Sequence, residues 1–418
     1  MNFFEYKNKD FCCEDIKIAD IAREVKTPFY LYSHATLKRH FRVFDEAFKE
    51  INHITCYSMK SNSNSSILRL FANMGGGVDI VSGGELFRAI KAGVSPEKIV
   101  YSGVGKTAEE MEFALKSDIL MFNTESPQEL KRLNDVAESV GKMARVAIRV
   151  NPDVDPQTHP YISTGLKENK FGIDINKSID EYIKASAMDN LDVAGVSCHI
   201  GSQLTKVSPF VDALKKLKEL IRKLREAGIE IKYLDLGGGL GITYDDEAPP
   251  SPAEYASALK DTIGEEDVIL IFEPGRVIMG NSGILVAKVL YTKTNEDKNF
   301  VVVDAAMNDL ARPSLYGSFH AVKPVRLDSG KNIKADIVGP ICESGDFLAK
   351  DREITELKQD DLIAVMSEGA YGFSMSSTYN SRPRAAEVMV KDNRYFIIRE
   401  RETCEDLAKG EIIPDFLR

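Results

Sequence analysis

Short apolar runs rich in β-branched residues recur along the first two thirds of the chain and alternate with segments of helical period. They begin near Ile54 (ITCYSM), Val78 (VDIV), Ile99 (IVYS), Ile119 (ILMF), Val146 (VAIRV), Val193 (VAGVSCH), Tyr233 (YLDL) and Val268 (VILIFE). Among the intervening segments, Val211 to Ala227 (VDALKKLKELIRKLREA) most clearly predicts a helix, with Gly228 as its stop. About eight strands alternating with helices predict an α/β fold, either a closed (β/α)8 barrel or an open doubly wound sheet. The local rhythm is the same for both.

After Gly275 the texture changes. Strand-like runs follow one another with only turns between them: ILVAKVLYT, NFVVVDA, KADIVG, DLIAVM, AAEVMV and YFIIRE. This pattern predicts a mostly antiparallel β domain of sandwich or barrel-like form. An early strand candidate, FYLY, precedes the barrel and is assigned to the same domain. The expected division is a barrel over 30–275 and a β domain built from 1–29 and 276–418.

Composition narrows the function classes. The 418 residues are 43% hydrophobic and 28% charged, which suits a folded globular chain. The net charge of −10 is spread along the sequence and argues against a nucleic-acid partner. The start, MNFFEYKNKDFCCED, has no apolar core of a secretory signal, and no apolar run is long enough to span a bilayer. Cys12, Cys13, Cys56, Cys198, Cys342 and Cys404 have no CxxC spacing, so reduced thiols in a cytoplasmic protein are expected.

Active sites of parallel barrels lie where the strands end. Lys60 follows the first strand, in CYSMKSN. By itself it reads as a solvated strand end, and otherwise as a Schiff-base lysine. Asp79, Ser82 and Glu85 follow the second strand, where a turn and a helix cap explain them equally well. His199 ends the sixth, either as a hydrogen-bonded core histidine or as a flat ring placed to stack on a planar cofactor. Gly237, Gly238 and Gly239 follow the seventh strand, and Glu273-Pro274-Gly275-Arg276 the eighth. Loops in those two positions frequently bind phosphate, because glycine lets backbone N–H groups approach an anion. A lysine, a phosphate cradle and an acidic group for a pyridine nitrogen, for which Glu273 is the candidate, together fit pyridoxal 5'-phosphate (PLP). No HExxH, Walker A or zinc-spaced Cys/His set competes, and no metal site is expected.

The order of these motifs, with TPFYLY, RVNPDVDPQTHPYISTGLKENKFGI, HIGSQ, MNDLARPSLYG, GPICESGD and AYGFSMSSTYNSRPRAAEV, resembles the fold-type III PLP-dependent decarboxylases along nearly the whole chain. Within them it is most similar to the branch acting on diaminopimelate. One departure is CYSMKSN, where the family more often has alanine before a valine-lysine pair and after the lysine. The lysine is kept. The resemblance implies that Lys60 holds the cofactor, His199 stacks on its ring and Glu273 pairs with its nitrogen. It implies phosphate contacts from Ser202, Gly239 and the backbone from Glu273 through Gly275 to Arg276. Substrate contacts are implied for Arg276, Arg312, Tyr316 and Glu343, and contacts to both cofactor and substrate for Tyr371. Cys342 is implied as the proton donor, reaching the neighbouring subunit's site in a homodimer. Alone, Cys342 would read as a buried small hydrophobe, Arg312 as a surface arginine, Tyr316 as a packed tyrosine and Glu343 as a solvated charge.

The implied reaction is decarboxylation of meso-2,6-diaminopimelate to L-lysine, the last step of lysine biosynthesis. Charge matching agrees, since a second amino-acid head needs cations for its carboxylate and Arg276 and Arg312 can supply them, with Glu343 for the ammonium. Decarboxylation of ornithine, arginine or carboxynorspermidine, an amino-acid racemase and a non-catalytic homologue remain open at this point.

Overall fold

The eight predicted runs form one closed parallel sheet. In the computed structural model, which describes residues 2–155, 170–264, 266–296 and 298–418, the strands are His53–Ser58, Gly77–Ile80, Ile99–Tyr101, Met121–Thr124, Ala144–Asn151, Leu191–Ser197, Tyr233–Asp235 and Ile269–Phe272. Each pairs in parallel with the next. The eighth returns to the first through Leu270 to His53 and Phe272 to Thr55, so the sheet is a barrel and not an open wound sheet. Residues 156–169, which carry much of the RVNPDVDPQTHPYISTGLKENKFGI segment, lie outside the described residues.

Helices connect successive strands, and their ends follow local chemistry. Thr107 and Ser251 each make a capping box with a glutamate three residues on, an arrangement worth about 1 kcal/mol. The predicted Val211 to Ala227 helix runs over Ser208–Glu226 and buries Phe210, Ala213, Leu214, Leu217, Leu220, Ile221 and Leu224, a stripe at helical spacing. The interior of the sheet is packed by Cys56, Val100, Met121, Ala147, Tyr233 and Ile271.

The chain divides into two compact units, one of residues 38–278 and the other of 1–37 with 279–418. The second is a β domain. Its main sheet runs in the order Phe347–Thr355, Asn332–Val338, Lys298–Val303, Gly283–Asn295, Phe29–Ser33, Ala386–Lys391 and Arg394–Arg399. Most neighbours are antiparallel, with two parallel pairs: Lys298–Val303 with Asn332–Val338, and Phe29–Ser33 with Ala386–Lys391. Leu362–Val365 also pairs with Gly283–Asn295 and carries Val322–Pro324 on its other side. FYLY is therefore an inner strand, buried at every position, with neighbours on both edges. A small sheet of Phe4–Lys7, Asp10–Cys13 and Ile16–Lys17 and the helix Ile18–Val25 share its core through Phe11, Ile18, Ile21, Phe29, Leu31, Ile284 and Val388. Among the described residues no helix is long and apolar enough to cross a membrane.

Candidate active site

Polar side chains stand where the apolar barrel strands end. A single 3-10 turn, Met59–Ser61, presents Lys60 directly after the first strand. Lys60 Nζ donates to Asp79 Oδ2 at 3.2 Å, and Ser58 Oγ donates to the same oxygen at 2.8 Å. Asp79 is fully buried. Ser82 and Glu85 keep the structural role open to them: Ser82 caps the helix Gly83–Ala92 through Glu85 N, and Glu85 accepts from Val81 N.

Two further carboxyl groups share the interior. Asn123 Nδ2 donates to Asp235 Oδ2 at 2.7 Å and lies 3.4 Å from Glu273 Oε1. Ser102 Oγ donates to Glu273 Oε1 at 3.2 Å, and Gly237 N to Asp235 Oδ1 at 2.8 Å. Burial, then the charges of Asp235 and Asp79, push Glu273 well above the ordinary carboxylate range, with Lys60 opposing. Burial raises Asp235 as well, and its hydrogen bond with Glu273 lowers it. Two buried carboxyl groups this close disfavour a double negative charge, so a proton on the pair is favoured.

His199, half-buried after the sixth strand, accepts at Nδ1 from Gly238 N at 3.2 Å, which leaves its proton on Nε2. Burial and the cations Lys60 and Arg149 hold it well below the usual histidine range, so the ring is neutral. The glycines after the seventh strand lie against the loops on either side. A Cβ at Gly238 would sit 2.2 Å from Glu273 O, and one at Gly239 2.5 Å from Gly201 O. Gly239 also has φ +121°, a conformation closed to larger residues. Arg276, buried, meets Tyr244 Oη at 2.5 Å through Nη1 and Ser202 Oγ at 3.3 Å through Nη2. Gly275 lets its loop lie against Ser58 and Ser61. Lys60, His199, Ser202, Gly239, Glu273, Gly275 and Arg276 thus line one end of the barrel. The deep residues Ser58, Ser102, Asn123 and Asp235 went unnoticed in the sequence. Each is a polar residue at or next to the C-terminal end of a barrel strand.

The remaining candidates belong to the β domain. Arg312 opens the short helix Arg312–Tyr316 and is buried, not a surface arginine. Tyr316 is half-buried at the end of that helix. Cys342 and Glu343 are exposed on a loop organised by Asp346, which accepts from Met307 N and Ile341 N at 2.7 Å each. Cys342 is accordingly not a packed hydrophobe, and its backbone N donates to Asn380 Oδ1 at 2.8 Å. Tyr371 has φ +61°, a strained backbone for an aromatic residue.

Residues 34–280 match the family model described as pyridoxal-dependent decarboxylase, pyridoxal binding domain. The diaminopimelate decarboxylase of Vibrio cholerae is 50% identical over 99% of this chain and 100% of its own length, and that of Aquifex aeolicus 50% identical over 98% and 97%. The crystal structure of diaminopimelate decarboxylase from M. jannaschii in co-complex with L-lysine superposes with a TM-score of 0.95 at 38% identity, covering 99% of each chain. The enzyme from Helicobacter pylori complexed with L-lysine gives 0.91 at 44% identity, covering 94% of this chain and 98% of that one.

Proposed function

Because the chain belongs to the diaminopimelate decarboxylases, within the pyridoxal-dependent decarboxylase family, we propose that it removes one carboxylate of meso-2,6-diaminopimelate as carbon dioxide and releases L-lysine. The observation that carries this reading is the Lys60 amine held against Asp79, beside a raised Glu273 and a glycine cradle that any Cβ would fill. Those residues fit PLP. Lys60 would hold it covalently, Glu273 would face its ring nitrogen and His199 its ring face. Ser202, Gly239 and the backbone from Glu273 through Gly275 to Arg276 would hold its phosphate. When bound, PLP supplies an electron sink for the bond that releases carbon dioxide.

The rest of the chemistry falls to the chain's own groups. Arg276 and Arg312 bind the carboxylate at the far end of the substrate and Glu343 its ammonium, while Tyr316 and Tyr371 pack beside it. Cys342 delivers a proton to the carbon that has lost its carboxylate. Lys60 returns as the amine that frees the product. The working protein is a cytoplasmic homodimer in which Cys342 of one subunit serves the partner's Lys60.

Carbon dioxide and lysine measured from meso-diaminopimelate, L-ornithine and L-arginine in parallel test the proposal. Release from diaminopimelate alone, with borohydride fixing PLP on Lys60, is expected. Comparable rates on ornithine overturn the two-arginine argument, and a label on another lysine overturns the site.

A further inference from the structure

We propose that His320 and Glu368 are positioning residues for Arg312, fixing its guanidinium for the substrate's second carboxylate. The inference rests on the reading that Arg312 binds that carboxylate. Arg312 Nη1 lies 3.0 Å from His320 Nε2, and Nη2 donates to Ser318 Oγ at 3.2 Å. A guanidinium can only donate, so Nε2 of His320 is the acceptor and its proton sits on Nδ1. That proton points to Met366 O at 2.9 Å. Glu368 Oε1 stands 2.7 Å from the same nitrogen, and among the described residues neither oxygen of Glu368 has a partner in hydrogen-bond geometry.

His320 and Glu368 are fully buried, and nothing in the reaction uses them directly. A buried carboxyl group without a hydrogen bond is costly unless a nearby positive group or dipole compensates it. Here the partner is the polarised imidazole, and beyond it the buried guanidinium. The carboxyl group pulls on Nδ1–H, which makes Nε2 the stronger acceptor for Arg312. The backbone holds this row in place. His320 lies just before Val322–Pro324 and Met366 just after Leu362–Val365, two strands in register at Val322 and Val365, and Met366 N closes the pair on Ala321 O at 2.8 Å. The same carboxyl group underlies the turn of Tyr371, since a Cβ at Gly372 would lie 3.0 Å from Glu368 Oε2. The arrangement suits Arg312 as a preset fork for a planar carboxylate, with the rotational freedom of a long side chain already removed.

The test compares His320→Leu, His320→Gln, Glu368→Gln and Arg312→Ala in the PLP-loaded enzyme, with steady-state kinetics on meso-diaminopimelate. His320→Leu is expected to raise KM by about ten- to a hundredfold, with kcat changed less than about threefold. His320→Gln, whose amide oxygen can stand where Nε2 does, is expected to recover most of that loss. The isosteric Glu368→Gln, which keeps the packing if His320→Leu does not fold, is expected to raise KM by roughly three- to tenfold. If His320 acts through Arg312, the double variant His320→Leu/Arg312→Ala is no worse than Arg312→Ala, to within about threefold. An unchanged KM in both His320→Leu and Glu368→Gln overturns the proposal, as do penalties that multiply in the double variant. If Arg312→Ala itself leaves KM unchanged, the substrate assignment of Arg312 falls first.

Discussion

Burial and the neighbouring charges of Asp235 and Asp79 raise Glu273 well above the ordinary carboxylate range, which sets two expectations for Glu273→Gln. The first is catalytic. Glutamine keeps the shape and the contacts to Ser102 and Asn123 but cannot become an anion opposite a ring nitrogen. Turnover is expected to fall by roughly a hundredfold or more, with the visible band of bound cofactor retained, and near-normal turnover would remove Glu273 from its assigned role. The second concerns stability without cofactor. Because burial raises Glu273, the folded chain takes up a proton above the unfolded glutamate value of about 4.3. The stability it contributes is complete below that value and is lost as pH rises through the folded value. Denaturant titrations of the Glu273→Gln apoprotein from about pH 5 to pH 8 should show a shallower fall than the unsubstituted apoprotein. Lys60, His199 and Glu273 were legible in the sequence because each follows a recognisable strand within a motif. Asp235 was not, since one acid closing YLDL looks like a strand end. Its meaning comes from Asn123, 112 residues earlier in the chain.

Loops that touch backbone to backbone give the barrel its rim, and two glycines of positive φ separate close approach from mere turning. Gly141 ends the helix Pro127–Val140 with φ +63°, and nothing among the described residues lies within 4 Å of its would-be Cβ. Gly239 meets Gly201 O. Gly141→Ala is expected to cost about 1 kcal/mol and leave cofactor affinity unchanged. Gly239→Ala is expected to cost more, about 1–3 kcal/mol, and to weaken PLP binding at least about tenfold, read by titrating the absorbance of the apoprotein. Equal affinities in the two variants would deny the cradle its function. Rhythm made the eight strands legible but could not close them, because closure depends on Ile269–Phe272 finding His53–Ser58 across more than two hundred residues. Nor could it reveal the two parallel pairings in the β domain, because alternation along a strand does not encode the direction of its neighbour.

At the scale of the whole molecule the expectation is a site divided between subunits. Lys60→Ala and Cys342→Ala variants, each inactive alone, should complement when subunits exchange. Each mixed dimer then has one site with both residues intact, and roughly a quarter of all sites recover. No recovery, with exchange confirmed by a tag, would assign both residues to one chain. A different consequence follows from Phe29–Ser33, the inner strand whose two neighbours are Gly283–Asn295 and Ala386–Lys391. The ribosome makes this strand early and its first neighbour about 250 residues later, roughly 12 to 50 s at about 5–20 residues per second. Throughout that interval the backbone groups of both its edges are unpaired and its side chains are mostly apolar, while the barrel that follows it in sequence can already be forming. The nascent chain therefore carries a strand open to aggregation for most of its synthesis, and shielding by a chaperone would matter most in that window.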